Sequence, residues 1–132
     1  MLAVSHACVV DVNQRLYELL DREPDIDVDL VAPSNWRIGR RRVVCRRTPG
    51  SRLRLHPLPV VAPGHLVLHA YLDSMGRFSP DVVLLDEQAW SMCALQLSLI
   101  AQRRRAAFVF TNEQNIAKGY PPPFRWIERR TY

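Results

Sequence analysis

The chain is short of lysine, short of glycine and without a long hydrophobic run, and each shortage excludes something. Lys118 is the only lysine among 18 basic residues, so the net charge of +5 rests on arginine. Arginine's planar fork suits phosphate and carboxylate, which makes an anionic partner a reasonable expectation beside the plainer reading of a solvated basic surface. None of the 5 glycines lies in residues 5–13, the stretch after the first apolar run. A dinucleotide site of the G-x-G-x-x-G kind needs glycine there so that backbone can approach a pyrophosphate; that site and the P-loop are both excluded. The 3 cysteines, Cys8, Cys45 and Cys93, are widely spaced with no C-x-x-C pair. They read as small apolar residues of a reducing compartment, not as a disulfide framework. The first ten residues have no basic region ahead of an apolar one and make a poor signal peptide. The longest near-apolar run, around residues 92–101, contains Gln96 and Ser98 and is too short to span a bilayer. A cytoplasmic location is the expectation.

What is present is an ordinary globular composition, 48% hydrophobic and 23% charged in 132 residues, enough for one domain with its own core. Residues 80–120 organise it. An apolar run at 82–85 ends in Asp86-Glu87-Gln88, a long apolar helix follows over 89–105, and a second run at 106–110 ends in Thr111-Asn112-Glu113-Gln114-Asn115. This is a strand–helix–strand unit, in which parallel strands put both polar clusters at one sheet edge. A similar unit precedes it. A strand at 2–5 is followed by a helix in which Val12, Leu16, Leu19 and Leu20 recur at helical spacing. Asp11 and Gln14 have the form of a capping box, and a strand follows at 26–31. The fold expected is α/β, Rossmann-like and doubly wound, with a mainly parallel sheet built from strands near 2–5, 26–31, 82–86 and 107–111. An Arg-rich β excursion interrupts it at about 37–58, read as a hairpin or an extended stretch with turn chemistry at Thr48-Pro49-Gly50. An amphipathic helix is expected where Leu68, Tyr71, Leu72 and Met75 recur. The apolar circumference of the helix over 89–105 predicts cover on more than one side.

Open parallel sheets bind ligands at the carboxyl edge, where the strand order reverses. Here that point falls between the first strand and residues 82–86, with Ser5-His6, Asp86-Glu87 and residues 111–115 around one mouth. Asp86 and Glu87, adjacent at a strand end, point to opposite sides and do not form an acid–base dyad; Asp86 is expected to cap the following helix. Glu87 stands at the switch point and is the stronger site candidate, with His6 beside it. His65 and His69, four apart, lack a third partner, and no metal site is expected. Arg40, Arg41, Arg42, Arg46 and Arg47 are anion-binding candidates. No aromatic is interleaved with them after Trp36, so specific nucleic-acid recognition is not expected, while peripheral contact with anionic lipid is equally compatible.

Several stretches in order resemble the N-terminal domain of bacterial glycosyltransferase family 4 enzymes. They are Val4-Ser5-His6; Val31-Ala32-Pro33-Ser34 with Trp36-Arg37; Pro80-Asp81-Val82-Val83; Asp86-Glu87-Gln88 running into Ala94-Leu95-Gln96; and Gln114-Asn115-Ile116 with Tyr120-Pro121-Pro122-Pro123-Phe124. The resemblance covers nearly the full chain. It implies residues 1–132 as the single Rossmann-like, acceptor-side domain of a GT-B enzyme that moves a sugar from a nucleotide sugar to an acceptor with retention of configuration. It implies no cofactor and no obligatory metal; the nucleotide sugar is the donor substrate. The family's C-terminal domain holds that donor and a pair of glutamates eight positions apart, a spacing this chain does not contain, so the resemblance implies an acceptor half without its donor half. Polar contacts to sugar hydroxyls would come from Glu87, Gln114 and Asn115, and then from His6 and Asn13. The sequence departs from the family at two points. No glycine-rich turn follows the first strand, and Thr111-Asn112-Glu113 stands where many members carry a histidine. The competing reading is a non-catalytic α/β module that binds an anionic partner through the arginines of residues 37–54.

Overall fold

The apolar runs that alternate along the chain become the strands of one sheet. The computed structural model describes residues 1–61, 78–111 and 119–132. Strands β1 (Leu2–Ser5), β2 (Asp29–Pro33), β5 (Arg54–Leu58), β6 (Val82–Asp86) and β7 (Ala107–Thr111) form a five-stranded sheet in the order β5-β2-β1-β6-β7. Every neighbouring pair in it is parallel. β3 (Asn35–Ile38) and β4 (Arg41–Val44) make a separate antiparallel hairpin. The helices are α1 (Arg15–Leu20), α2 (Met92–Arg104) and α3 (Pro122–Thr131). The chain is thus α/β with a Rossmann-like, mainly parallel sheet.

Alternation along the strands divides the core between the two sheet faces. Leu2, Val4, Val31, Val83 and Leu85 pack with Cys93, Ala94, Leu97, Ile100 and Ala101 of α2. Ala3, Leu30 and Ala32 pack on the other side with Cys8, Val9, Tyr17 and Leu53. Each fully buried Leu or Val contributes roughly 1.5–3 kcal/mol, so these two clusters, not helix propensity, hold the layers together. α2 begins later than the apolar run suggests. Ser91 caps it, its Oγ accepting from the Ala94 N–H at 3.0 Å, and Asp86 does not cap it. Its second side is covered by α3, and Trp90 is packed on Tyr120 and Phe124 at ring separations of 4.9 and 5.7 Å.

The structure corrects the sequence reading in five places. The hairpin turns at Gly39-Arg40 rather than at Thr48-Pro49-Gly50: Gly39 has φ 59° and Arg40 does not, the pattern of a two-residue turn with glycine first. Residues 54–58 are a fifth sheet strand parallel to β2, not part of the excursion. β2 starts at Asp29, because residues 23–26 are occupied by a turn in which the Ile26 N–H donates to the Glu23 carbonyl. The capping box is not formed: Asp11–Gln14 is a 3₁₀ turn without a side-chain cap, and Gln14 is fully buried. Helix α1 also turns the face opposite to the one its apolar spacing marks. Val12, Leu16 and Leu19 are exposed, while Tyr17 is buried. The helix expected around Leu68–Met75 and the residues His65, His69, Gln114 and Asn115 lie outside the described residues.

Candidate functional site

The strand order makes the crevice. From β1 the chain crosses through α1 to β2 on one side; from β6 it crosses through α2 to β7 on the other. The connections therefore part between β1 and β6, whose register sets Ser5 opposite Asp86. Thr111 stands opposite Asp86 on the next strand. The carboxyl ends of β1, β6 and β7 thus bring Ser5, His6, Asp86, Glu87 and Thr111 together, as the spacing of the polar clusters predicts.

Adjacent carboxylates in this crevice have different employments. Asp86 accepts hydrogen bonds from Ser5 Oγ at 2.8 Å and Tyr17 OH at 3.3 Å on Oδ2, and from Thr111 Oγ1 at 2.9 Å on Oδ1. With both oxygens engaged by hydroxyls of three elements, Asp86 ties the carboxyl edge together. Burial, and then the Asp86 charge, push the Tyr17 phenol above its ordinary value, so it remains a donor to that carboxylate. Glu87 instead meets Nδ1 of His6. An ionised carboxylate only accepts, so Nδ1 carries the hydrogen. The His6 side chain is 6% exposed and that of Glu87 23%, so the imidazole is a buried support and the carboxylate is the group that reaches solvent. Trp36 packs on the outer side of His6, ring centroids 5.5 Å apart.

The loop after β1 is held without glycine. Asn13 Nδ2 donates to the Ala7 carbonyl at 2.8 Å, so this amide braces the loop. Gln14 reaches further. Its amide nitrogen donates to the carbonyls of Cys8 and Arg46, both at 2.9 Å, and its oxygen accepts from the Thr48 N–H at 3.3 Å. A single buried glutamine therefore pins the segment after β4 to the loop that carries His6. Burial pushes the neighbouring Cys8 thiol up to about 12, outweighing a hydrogen bond with Ser5, so Cys8 is packing and not a nucleophile.

The arginine candidates divide by place. Arg41 and Arg42 are in β4, Arg40 is in the hairpin turn, and Arg46 and Arg47 follow β4; all five are exposed. Arg54 is neutralised instead, lying 3.4 Å from Asp27 and 3.2 Å from Asp29. A second recess runs along α1 between Arg15, Glu18, Arg22 and the turn Thr48–Ser51. It lies on the flank of the sheet rather than at its carboxyl edge. Burial alone would raise its Glu18, but hydrogen bonds from Thr48, Ser51 and Arg15 hold that carboxyl below the usual range. Among the described residues no cluster of His, Cys, Asp and Glu has the make-up to hold a metal ion.

Sequence reasoning placed Ser5 and Thr111 at the mouth without a role for either, and it missed what Tyr17, Gln14 and Trp36 do there. Only Tyr17 left a signal: it stands three residues after Gln14, and the two share one helical face.

The fold and the site define an α/β protein of doubly wound type with a polar crevice at its topological switch point. Comparison with protein-family models, curated proteins and solved structures finds no match to this chain.

Proposed function

We propose that this domain is the acceptor side of a sugar-transfer cleft, the substrate-binding half of a retaining glycosyltransferase that uses a nucleotide sugar. The observation that carries the reading is the Glu87 carboxylate held by His6 at the switch point of the sheet. Glu87 Oε1 is engaged by the imidazole, and Oε2 has no partner among the described residues. A carboxylate fixed in this way accepts from a sugar hydroxyl without first losing rotamer freedom. His6 and Trp36 are positioning residues behind it; Asp86 keeps the edge in register.

In the same reading Gln114 and Asn115 add amide contacts, no metal takes part, and the domain works in the cytoplasm at or near the inner face of the membrane. Three buried free thiols support a reducing compartment. Among the described residues no helix is long and apolar enough to cross a membrane. Turnover requires donor and acceptor in near-attack geometry, and the chain has no glutamates eight apart, so binding rather than catalysis is its expected activity.

Titration with nucleotide sugars and oligosaccharides, followed by NMR, tests the proposal. The amides of residues 5–6 and 86–88 should shift, and Glu87→Gln should weaken binding. If these amides stay still at millimolar sugar while polyanions move only residues 37–54, the sugar reading fails and the anion-binding module replaces it.

A further inference from the structure

The hairpin β3–β4 carries its charges in an arrangement that a solvated surface does not require. Register places Arg37 directly opposite Arg42, with Asn35 opposite Val44 on the same face. Like charges directly opposite each other destabilise a strand pair. Arg40 joins them from the turn, and Asn35, Arg37, Arg40 and Arg42 line one shallow recess. No carboxylate lines it, and none of these arginines has an ion pair among the described residues.

Two of the guanidinium groups are also held in place. Arg42 Nε donates to Asn35 Oδ1 at 3.0 Å, and Arg37 Nε donates to the Gly39 carbonyl at 3.2 Å. Both bonds use Nε, which leaves the terminal nitrogens of each fork for an oxyanion. The hairpin itself is anchored. Trp36 and Val43, on its other face, pack against the core, and Trp36 lies on His6. The hairpin therefore borders the crevice through Trp36, and the recess lies on its opposite face.

We infer that the hairpin is a cradle for a phosphate group. The cradle rests on the hairpin alone and does not depend on the sugar-transfer reading. A phosphate between Arg37, Arg40 and Arg42 accepts from several N–H groups at once and cancels the repulsion built into the strand pair.

The test uses the whole chain with inorganic pyrophosphate as probe at constant ionic strength, observing arginine Nε–Hε signals. Saturable shifts of Arg37 and Arg42 are expected. Arg42→Gln should weaken binding about tenfold, while Arg47→Gln, the same charge change outside the recess, should leave it unaltered. Flotation with phosphatidylcholine vesicles, with and without phosphatidylglycerol, identifies the carrier. Flotation that requires the anionic lipid and is lost in Arg42→Gln assigns the phosphate to a lipid headgroup; pyrophosphate binding without flotation assigns it to a soluble phosphate compound. Equal losses in Arg42→Gln and Arg47→Gln, or no saturable binding by either probe, would overturn the cradle.

Discussion

At the scale of single residues, two neighbouring carboxylates illustrate how position in a sheet decides chemistry. Asp86 is the last residue of β6 and faces the α1 side, where hydroxyls of β1, α1 and β7 converge on it. Glu87, one step on, faces His6. Asp86→Asn keeps the shape but replaces one acceptor oxygen by a donor, so at least one of the three hydroxyls loses its partner. Hydrogen bonds to charged groups are worth about 1.5–3 kcal/mol. The variant should therefore be destabilised by about 2 kcal/mol, read as a lower urea midpoint with an unchanged m-value. A midpoint equal to that of the parent protein would mean that Asp86 is not the tie proposed.

At the scale of elements, the ends decide more than the middles. α2 starts at Ser91 and stops at Arg105, which adopts the left-handed conformation with φ 56° while the Ala106 N–H donates to the Ala101 carbonyl at 2.9 Å. That position favours glycine, and a residue with a Cβ costs roughly 1 kcal/mol there. Arg105→Gly should raise stability by up to about 1 kcal/mol, visible in thermal unfolding; a fall would show that the Arg105 side chain contributes more than its backbone strain costs. Helix α1 teaches a different lesson. Its Val12-Leu16-Leu19 spacing is helical, yet burial belongs to Tyr17 and Gln14, because Tyr17 must reach Asp86 and Gln14 must reach the segment after β4.

At the scale of the whole molecule, buried ionisable groups couple the fold to pH. Cys8, Cys45, Cys93 and Tyr17 are distributed over both faces of the sheet, and burial raises the pKa of each. A pKa higher in the folded than in the unfolded chain means that the unfolded chain loses its proton first as pH rises. The contribution of the thiols is therefore complete below their ordinary value of about 8.5. It declines above that, for Cys8 up to about 12. Urea midpoints should fall between pH 8 and pH 11, and Cys8→Ala should flatten part of that slope; midpoints that hold or rise would contradict the burial of these groups.

By itself the sequence determined the α/β class, the parallel pairing of residues 82–86 with 107–111, and the edge at which polar groups gather. These follow from local alternation, run length and the handedness of crossovers, which are written into neighbouring residues. It determined as well that no glycine-rich phosphate loop follows β1. Only the tertiary structure decided that residues 54–58 join the sheet, since Arg54, His56 and Pro57 disguise an edge strand whose partner, β2, lies far away in sequence. It alone decided that Gln14 is a buried brace, that Ser5, Tyr17 and Thr111 share one carboxylate, and that Arg37 meets Arg42. Each of those is a contact between segments distant in sequence or a consequence of strand register, and a one-residue slip in register would have turned every side chain to the opposite face.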